Sequence, residues 1–433
     1  MLVNQPQPDE YQTFRSYAQR VKHISQRQTI KIPPAAVAIL SSSCSALPRL
    51  CTSYISIPRS SALLIPFNFS PSLRQLEIDL GFKPVPSGVD SALCALLKRA
   101  TILCPDLTEI KLRGLASDSL NDILSAMRNI HVLSLRLGRS LLPSTLAALL
   151  TFPHLKELEV HAGHLHPNDL DDIHNSTTLP SLEKLDIRAK SSFIENLFNF
   201  IEPSTLHHLH IELDDDSMSS MSWNTIFTSI RGKTSDTLEH LSLEHHFEIP
   251  EVISSTSPDA TQSPQTSSAH LVSSLDFATM DPLRNLKNLR HFSCDATLPP
   301  VIRDQDMEKL VCWWPELEHL ELGSAPEHVE GGLVVPPHMT VSSLFRIAID
   351  CPNLVKLVLP ITIENIPETP TFERPLVNFL RYLTIAQLKT STPVECAQHL
   401  RFLFPLLQEL EGPCDESQVW VHTRRALKDC LVT

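Results

Sequence analysis

One six-residue phrase, apolar-x-x-apolar-x-apolar, recurs along this chain and limits what it can fold into more than any other feature. It reads LRQLEI from Leu73, LTEIKL from Leu107, IHVLSL from Ile130, LKELEV from Leu155, LEKLDI from Leu182 and LHHLHI from Leu206. It continues as LEHLSL from Leu238, LRHFSC from Leu289, LEHLEL from Leu317, LVKLVL from Leu354 and LRYLTI from Leu380. Weaker copies are VKHISQ from Val21, LCTSYI from Leu50 and LQELEG from Leu407. The fourteen starts lie 23 to 51 residues apart and average about 30, a period that marks a stacked repeat. Within each phrase the second half alternates apolar and polar residues, as in Leu158-Glu159-Val160, so one short half-buried strand per repeat is predicted.

Proline punctuates the repeat. It stands two residues before the phrase at Pro48, Pro71, Pro105, Pro153, Pro180, Pro315, Pro352 and Pro405. Helix-spaced apolar runs precede several of these, among them SALCALLKRATIL before Cys104, LAALLTF before Pro153 and VSSLFRIAIDC before Pro352. Proline lacks an N–H and disfavours helix in the residue before it, so it stops the helix where the chain turns into the strand. Each unit is therefore read as helix, proline stop, strand.

One such unit cannot bury its own apolar face. Stacking sets Leu155, Leu158 and Val160 beside Leu182, Leu185 and Ile187 and makes the core continuous. The expected fold class is α/β: a right-handed solenoid with parallel strands on the concave face and helices on the convex face. A doubly wound sheet of unrelated strand–helix pairs would not repeat one phrase so literally.

Composition narrows the function. Hydrophobic residues make up 42% of 433, enough for a large core. Glycine numbers 10 against 34 prolines, which disfavours glycine-rich phosphate cradles. Lys+Arg 36 against Asp+Glu 49 gives a net charge of -13 with no basic stripe, so nucleic acid is excluded as an expected partner. The first residues hold no apolar signal core and no run of apolar residues is long enough to span a bilayer, so no membrane association is expected. The ten cysteines form no C-x-x-C pair and several sit in apolar runs. They read as reduced core thiols of an intracellular protein, in cytoplasm or nucleus.

CPDLTEIKL at 104–112 and CPNLVKLVL at 351–359 carry a Cys-Pro-x-Leu-x-x-Leu-x-Leu rhythm. By these residues the chain resembles leucine-rich-repeat proteins, and most of all the repeat region of fungal F-box proteins. FRSYAQRVKHI at 14–24 is similar to the segment that follows the F-box in that group. The resemblance covers about residue 10 to about 412 and implies a non-catalytic leucine-rich-repeat-like module that recognises the substrate of a ubiquitin ligase. A cullin-ligase adaptor is implied as a second partner only if an F-box exists. The F-box itself is not evident: by family order it precedes Phe14, and KIPPAAVAILSSSCSALPRL at 31–50 lacks its Glu and Trp and reads as the helix of repeat two. The asparagine that follows the phrase in regular leucine-rich repeats is absent as well, so the turns must satisfy their backbone groups otherwise.

Three segments are expected: a disordered tail at 1–12, the solenoid at 13–416, and a capping helix at 417–433. The solenoid carries a flexible Ser/Thr/Pro-rich insert at 251–270 and a second insert at 323–340.

No constellation of residues reads as catalytic, and no cofactor is expected. Arg231-Gly232-Lys233-Thr234 lacks the glycine a phosphate loop needs five residues earlier, where Phe227 stands. No G-x-S-x-G elbow occurs, which leaves a hydrolase on a repeat scaffold as the weakest alternative. The histidines at 161, 164 and 166, at 207, 208 and 210, and at 245 and 246 do not repeat a zinc-ligand spacing; they read as surface imidazoles and no metal is expected. What remains is the concave strand surface. The residues flanking the fourth-place apolar and the one after the last project away from the core. Arg136, Glu157, Glu159, His161, Lys184, Asp186, Arg188, His208, His210, Glu212 and Glu244 thus fall into adjacent columns, a mixed-charge array suited to a protein partner. Such a partner distinguishes a ligase receptor from a plain leucine-rich-repeat scaffold only by its identity.

Overall fold

The computed structural model describes residues 8–26, 47–57, 70–171, 179–215, 223–247, 275–323, 338–364, 376–412 and 417–429. The 251–270 insert, most of the 31–50 stretch and residues 324–337 of the second insert lie outside them. The chain divides into two compact units, Met1–Thr205 and Leu206–Thr433.

In the first unit the strands are β1 (His23–Gln26), β2 (Thr52–Ser56), β3 (Gln75–Gly81), β4 (Glu109–Gly114), β5 (Val132–Arg136), β6 (Glu157–His161) and β7 (Lys184–Ala189). In the second they are β8 (His208–Leu213), β9 (His240–His245), β10 (His291–Ala296), β11 (His319–Glu321), β12 (Lys356–Ile363), β13 (Tyr382–Leu388) and β14 (Glu409–Glu411). Every one of the fourteen begins two residues after the start of its phrase, weak copies included. Within each unit neighbouring strands in chain order pair in parallel, with Leu133, Leu158 and Leu185 in one register row and Leu135, Val160 and Ile187 in another. The units are α/β and leucine-rich-repeat-like, as the repeat pattern requires.

Alternation decides which side is core. Leu73, Leu76, Ile78, Leu155, Leu158, Val160, Leu182 and Ile187 are essentially without exposure, whereas Gln75, Glu77, Glu157, Glu159 and Asp186 between them are half-buried. Helices return the chain behind this row at Ser87–Leu103, Asp118–Ser125, Pro143–Leu149, Ser191–Leu197, Trp223–Thr234, Asp304–Leu310, Val341–Asp350 and Pro393–Leu403. Neighbouring helices pack side by side, the first with the second and the second with the third among them. Among the described residues, the connection after β6 holds a 3-10 turn at Pro167–Leu170 and that before β10 another at Asp281–Asn285. A further helix covers Pro8–Ala18, beginning inside the stretch expected as a tail. The last, Gln418–Asp429, buries Trp420, Thr423 and Leu427.

The helix-to-strand prolines do more than stop helices. Leu107 N–H donates to Cys104 C=O at 3.0 Å and Leu407 N–H to Phe404 C=O at 3.0 Å, so Pro105 and Pro405 occupy the second position of a β-turn, where their fixed φ is an advantage. Cys104 and Cys351 end their helices and are buried.

In place of an asparagine ladder, single polar groups, Asn121 and Asn378 buried and Asp304 half-buried, clamp consecutive repeats. Asn121 is fully buried: its amide nitrogen donates to Ser117 C=O at 3.0 Å and Ser140 C=O at 2.9 Å. Its oxygen accepts from Leu142 N–H at 3.2 Å and Thr145 Oγ1 at 2.9 Å. Asp304 accepts from Thr340 N–H at 2.9 Å, Thr340 Oγ1 at 2.8 Å and Ser343 Oγ at 2.6 Å. Burial works to raise its pKa, but these bonds outweigh it and hold the carboxyl below its ordinary value. Asn378 and the Trp314 indole do the same for Cys351 C=O at 3.2 Å and Leu283 C=O at 3.0 Å.

Candidate functional site

Parallel register turns the outward residues of each strand into columns, because each register step repeats the same side-chain position roughly 4.8 Å further on. In the first unit one column runs Gln75, Glu109, Val132, Glu157, Lys184; the next runs Glu77, Lys111, Ser134, Glu159, Asp186. A third holds Asp79, Arg113 and Arg136 in register, and His161 beside Arg188.

Opposite charges meet across these columns. Glu159 accepts from Ser134 Oγ at 2.6 Å and pairs with the Arg136 guanidinium, which would otherwise lie beside Arg113 alone. Glu157 lies 3.9 Å from Lys184 Nζ, and Glu109 lies 2.8 Å from Lys111 Nζ. The hydrogen bond to Glu109 raises the Lys111 pKa; burial opposes it, and the Glu77 and Glu159 carboxylates add to the rise. Ion pairs exposed to this degree stabilise a fold by roughly 0.2–1 kcal/mol each, too little to account for so dense an array.

The second unit differs. Its first column is His208, His240, His291, His319, Lys356, Tyr382, Glu409. The second column starts His210, Ser242, Ser293, Glu321, and the third places Glu212, Glu244 and Asp295 in register. His210 Nε2 lies 3.1 Å from Glu244 Oε1.

The residues expected from sequence are thus placed as follows. Arg136, Glu157, Glu159, His161, Lys184, Asp186 and Arg188 lie outward on β5–β7 of the first unit, and His208, His210, Glu212 and Glu244 outward on β8 and β9 of the second. Three histidines were missed: His240, His291 and His319 join His208 in one column. The signal was present, since the third place of four successive phrases is His. Only comparison of phrases with one another exposes it.

The other histidine groups do not converge. His164 Nε2 lies 2.8 Å from Leu141 C=O, and the His166 N–H donates to Asp169 at 2.8 Å. His245 is not a surface imidazole: it is buried, edge-on to Trp223 at 6.4 Å and against Phe247 at 5.0 Å, because it shares the inward alternation of Leu241 and Leu243. Among the described residues no group of three or more His, Cys, Asp or Glu is arranged to hold a metal. Burial pushes the Cys294, Cys351 and Cys396 thiols up to about 12, so they are protonated at neutral pH and poor nucleophiles. Arg231-Gly232-Lys233-Thr234 forms the last turn of the helix Trp223–Thr234. None of the described helices is long and apolar enough to cross a membrane.

Among solved structures, the chain is similar to that of the Rad7 and Elc1 complex in yeast, with TM-score 0.47 and 14% identity over 93% of this chain and 88% of that one. It is also similar to a leucine-rich-repeat protein of Leptospira interrogans, with TM-score 0.37 and 15% identity over 94% and 88%. No family model matches the chain, and no curated protein matches it.

Proposed function

We propose that this chain is a non-catalytic protein-binding module whose outward strand columns hold the partner. One observation carries the reading: hydrogen-bonded register, not loop geometry, fixes the spacing of charged side chains on a rigid sheet face. Such an array recognises a partner through matched charges and hydrogen bonds at little cost in ordering, and rejects partners whose charges mismatch. The contact residues are Arg136, Glu157, Glu159, His161, Asp186 and Arg188 on the first unit, and His208, His210, Glu212 and Glu244 on the second.

The finer reading is that the partner is a substrate presented for ubiquitination, as the likeness of CPDLTEIKL and CPNLVKLVL to F-box repeats implies. An intracellular site, cytoplasm or nucleus, accords with it: Cys51, Cys94, Cys104, Cys294, Cys312, Cys351 and Cys396 are all unpaired thiols.

The test is affinity purification of the tagged full chain beside a Glu157→Lys, Glu159→Lys, Asp186→Lys variant whose fold is checked by circular dichroism. The expected result is a set of stable partners that the folded variant loses. Co-purification of a cullin adaptor would establish the ligase role, and its absence beside other stable partners would leave a plain scaffold. Partners that the folded variant retains would refute the assignment of this face.

A further inference from the structure

Four imidazoles lie ring against ring across β8–β11, the first pair stacked and the next two tilted by 31° and 53°. His208 and His240 have ring centroids 4.2 Å apart with planes 12° from parallel. His240 and His291 follow at 4.0 Å, and His291 and His319 at 4.1 Å. Parallel register leaves these rings no alternative, since each occupies the same position one strand further on. Protonating any one of them sets a cation about 4 Å from its neighbour's ring.

The charged groups around the ladder are largely engaged with one another. Glu239 lies 3.8 Å from His207, and Glu318 is shared by Arg290 at 3.5 Å and His291 at 3.8 Å. From β12, Lys356 reaches Glu321 at 2.6 Å. Burial first, then His319, His240, His208 and Arg290, bring His291 down to about 4. Burial and then His208 lower His240, against Glu239 and Glu318; burial and then Lys356 lower His319, against Glu318 and Glu321. At neutral pH these three rings are uncharged, and each offers a lone pair as acceptor.

The strands that carry the ladder read HLHIEL, HLSLEH, HFSCDA and HLE, with no Lys or Arg. On them the carboxylates of Glu212, Glu244 and Asp295 stand in register, with Glu244 3.1 Å from His210 Nε2 and Asp295 3.7 Å from His246 Nε2. The first unit shows no such bias, with Lys111, Arg113, Arg136, Lys184 and Arg188 interspersed among its acids. The β8–β11 face therefore presents acceptors and negative charge together.

Resting on the protein-binding reading above, we propose that the outward face of β8–β11 docks a Lys/Arg-bearing segment of the partner and releases it on acidification, with the histidine ladder as the gate. A docked ammonium or guanidinium group meets imidazole lone pairs along one column and carboxylates along another. A proton on the ladder removes an acceptor and sets cation against cation, so proton and partner compete, each weakening the other by the same factor. Release begins as pH falls below the ordinary histidine value of 6.5 and runs toward about 4, where the ring of His291 charges last.

The test uses the full chain with fluorescently labelled decalysine and decaglutamate peptides, read by anisotropy at one ionic strength. Decalysine is expected to bind at about pH 7.5 and roughly tenfold more weakly at about pH 5, while decaglutamate does not bind at about pH 7.5. A His240→Gln, His291→Gln, His319→Gln variant should hold its affinity within about twofold between the two pH values, because only His208 of its four ladder positions can still take up a proton. His291→Gln alone should leave the difference between these two pH values nearly intact, because this ring charges only toward about 4. Glu212→Gln, Glu244→Gln, Asp295→Asn together should abolish decalysine binding at both. An equal loss on acidification in wild type and the triple-Gln variant would overturn the gate. Decalysine binding that survives removal of the acid column would overturn the docking face. A cellular partner that needs the outward residues yet binds equally at both pH values would also sink this inference while leaving the protein-binding reading intact.

Discussion

Replacing Asn121 by alanine should destabilise the first unit by about 4 kcal/mol, although the residue touches no outward column. Its side chain joins the start of one helix to the loop leading into the next, reaching partners 19 to 24 residues away. Alanine deprives Ser140 C=O and Leu142 N–H of their bonds to it, while Ser117 C=O keeps one from the Asn121 backbone at 3.1 Å and the Thr145 hydroxyl is free to rotate. A part-buried backbone group stripped of its partner costs roughly 1–3 kcal/mol, so two of them set the scale at about 4. Native-state hydrogen exchange on the amides of Leu142, Thr145 and Leu146 reads this directly: about 4 kcal/mol corresponds to a nearly thousandfold rise in local opening. Asn199→Ala is the control, because its amide reaches only Asn196 Oδ1 at the surface, at 3.1 Å. Its expected effect lies within about 0.5 kcal/mol. Exchange in Asn121→Ala accelerated less than about fivefold would refute the view that single polar clamps hold these repeats in register.

Leu158→Ala, in the middle of a leucine row, should lower stability by about 2–5 kcal/mol, seen as a reduced urea midpoint at unchanged slope; a near-neutral result would show the row is not close-packed. His291 sits at 6.5 unfolded and about 4 folded, so the unfolded chain binds its proton first. Stability from this group is complete above 6.5 and is lost as pH falls toward about 4; urea titrations across that range should show the slope, and His291→Gln should flatten it. Ser53, in a weak phrase, is buried where most copies have leucine, and among the described residues its hydroxyl has no hydrogen-bond partner. Ser53→Ala should therefore stabilise by roughly 1 kcal/mol in thermal melts, and a loss of similar size would disclose a bond to Oγ.

Strand position was legible residue by residue. A strand needs only inward apolar residues at every second place, which is local information, and each of the fourteen starts where its phrase says. Pro105 and Pro405 announced a helix end correctly, while their role at the second position of a turn emerged only from the hydrogen bond that closes it. Asn121, Asp304 and Asn378 were invisible. A polar residue on a helix face reads as solvated until partners from another repeat are brought against it. The same limit hid the ladder: His208 and His210 were noticed as neighbours in sequence, but the contacts that matter run across strands, from His208 to His240 to His291 to His319.

By itself the sequence settled what depends on neighbours along the chain: the repeat, its period, and the inward and outward sides of each strand. Tertiary structure decided what depends on neighbours across it: which outward residues share a column, which histidine is core, and which polar groups bridge repeats. The physical reason is range. Alternation and proline act within a few residues, whereas register, stacking and the perturbed ionisation of His291 exist only once segments 28 to 51 residues apart lie side by side.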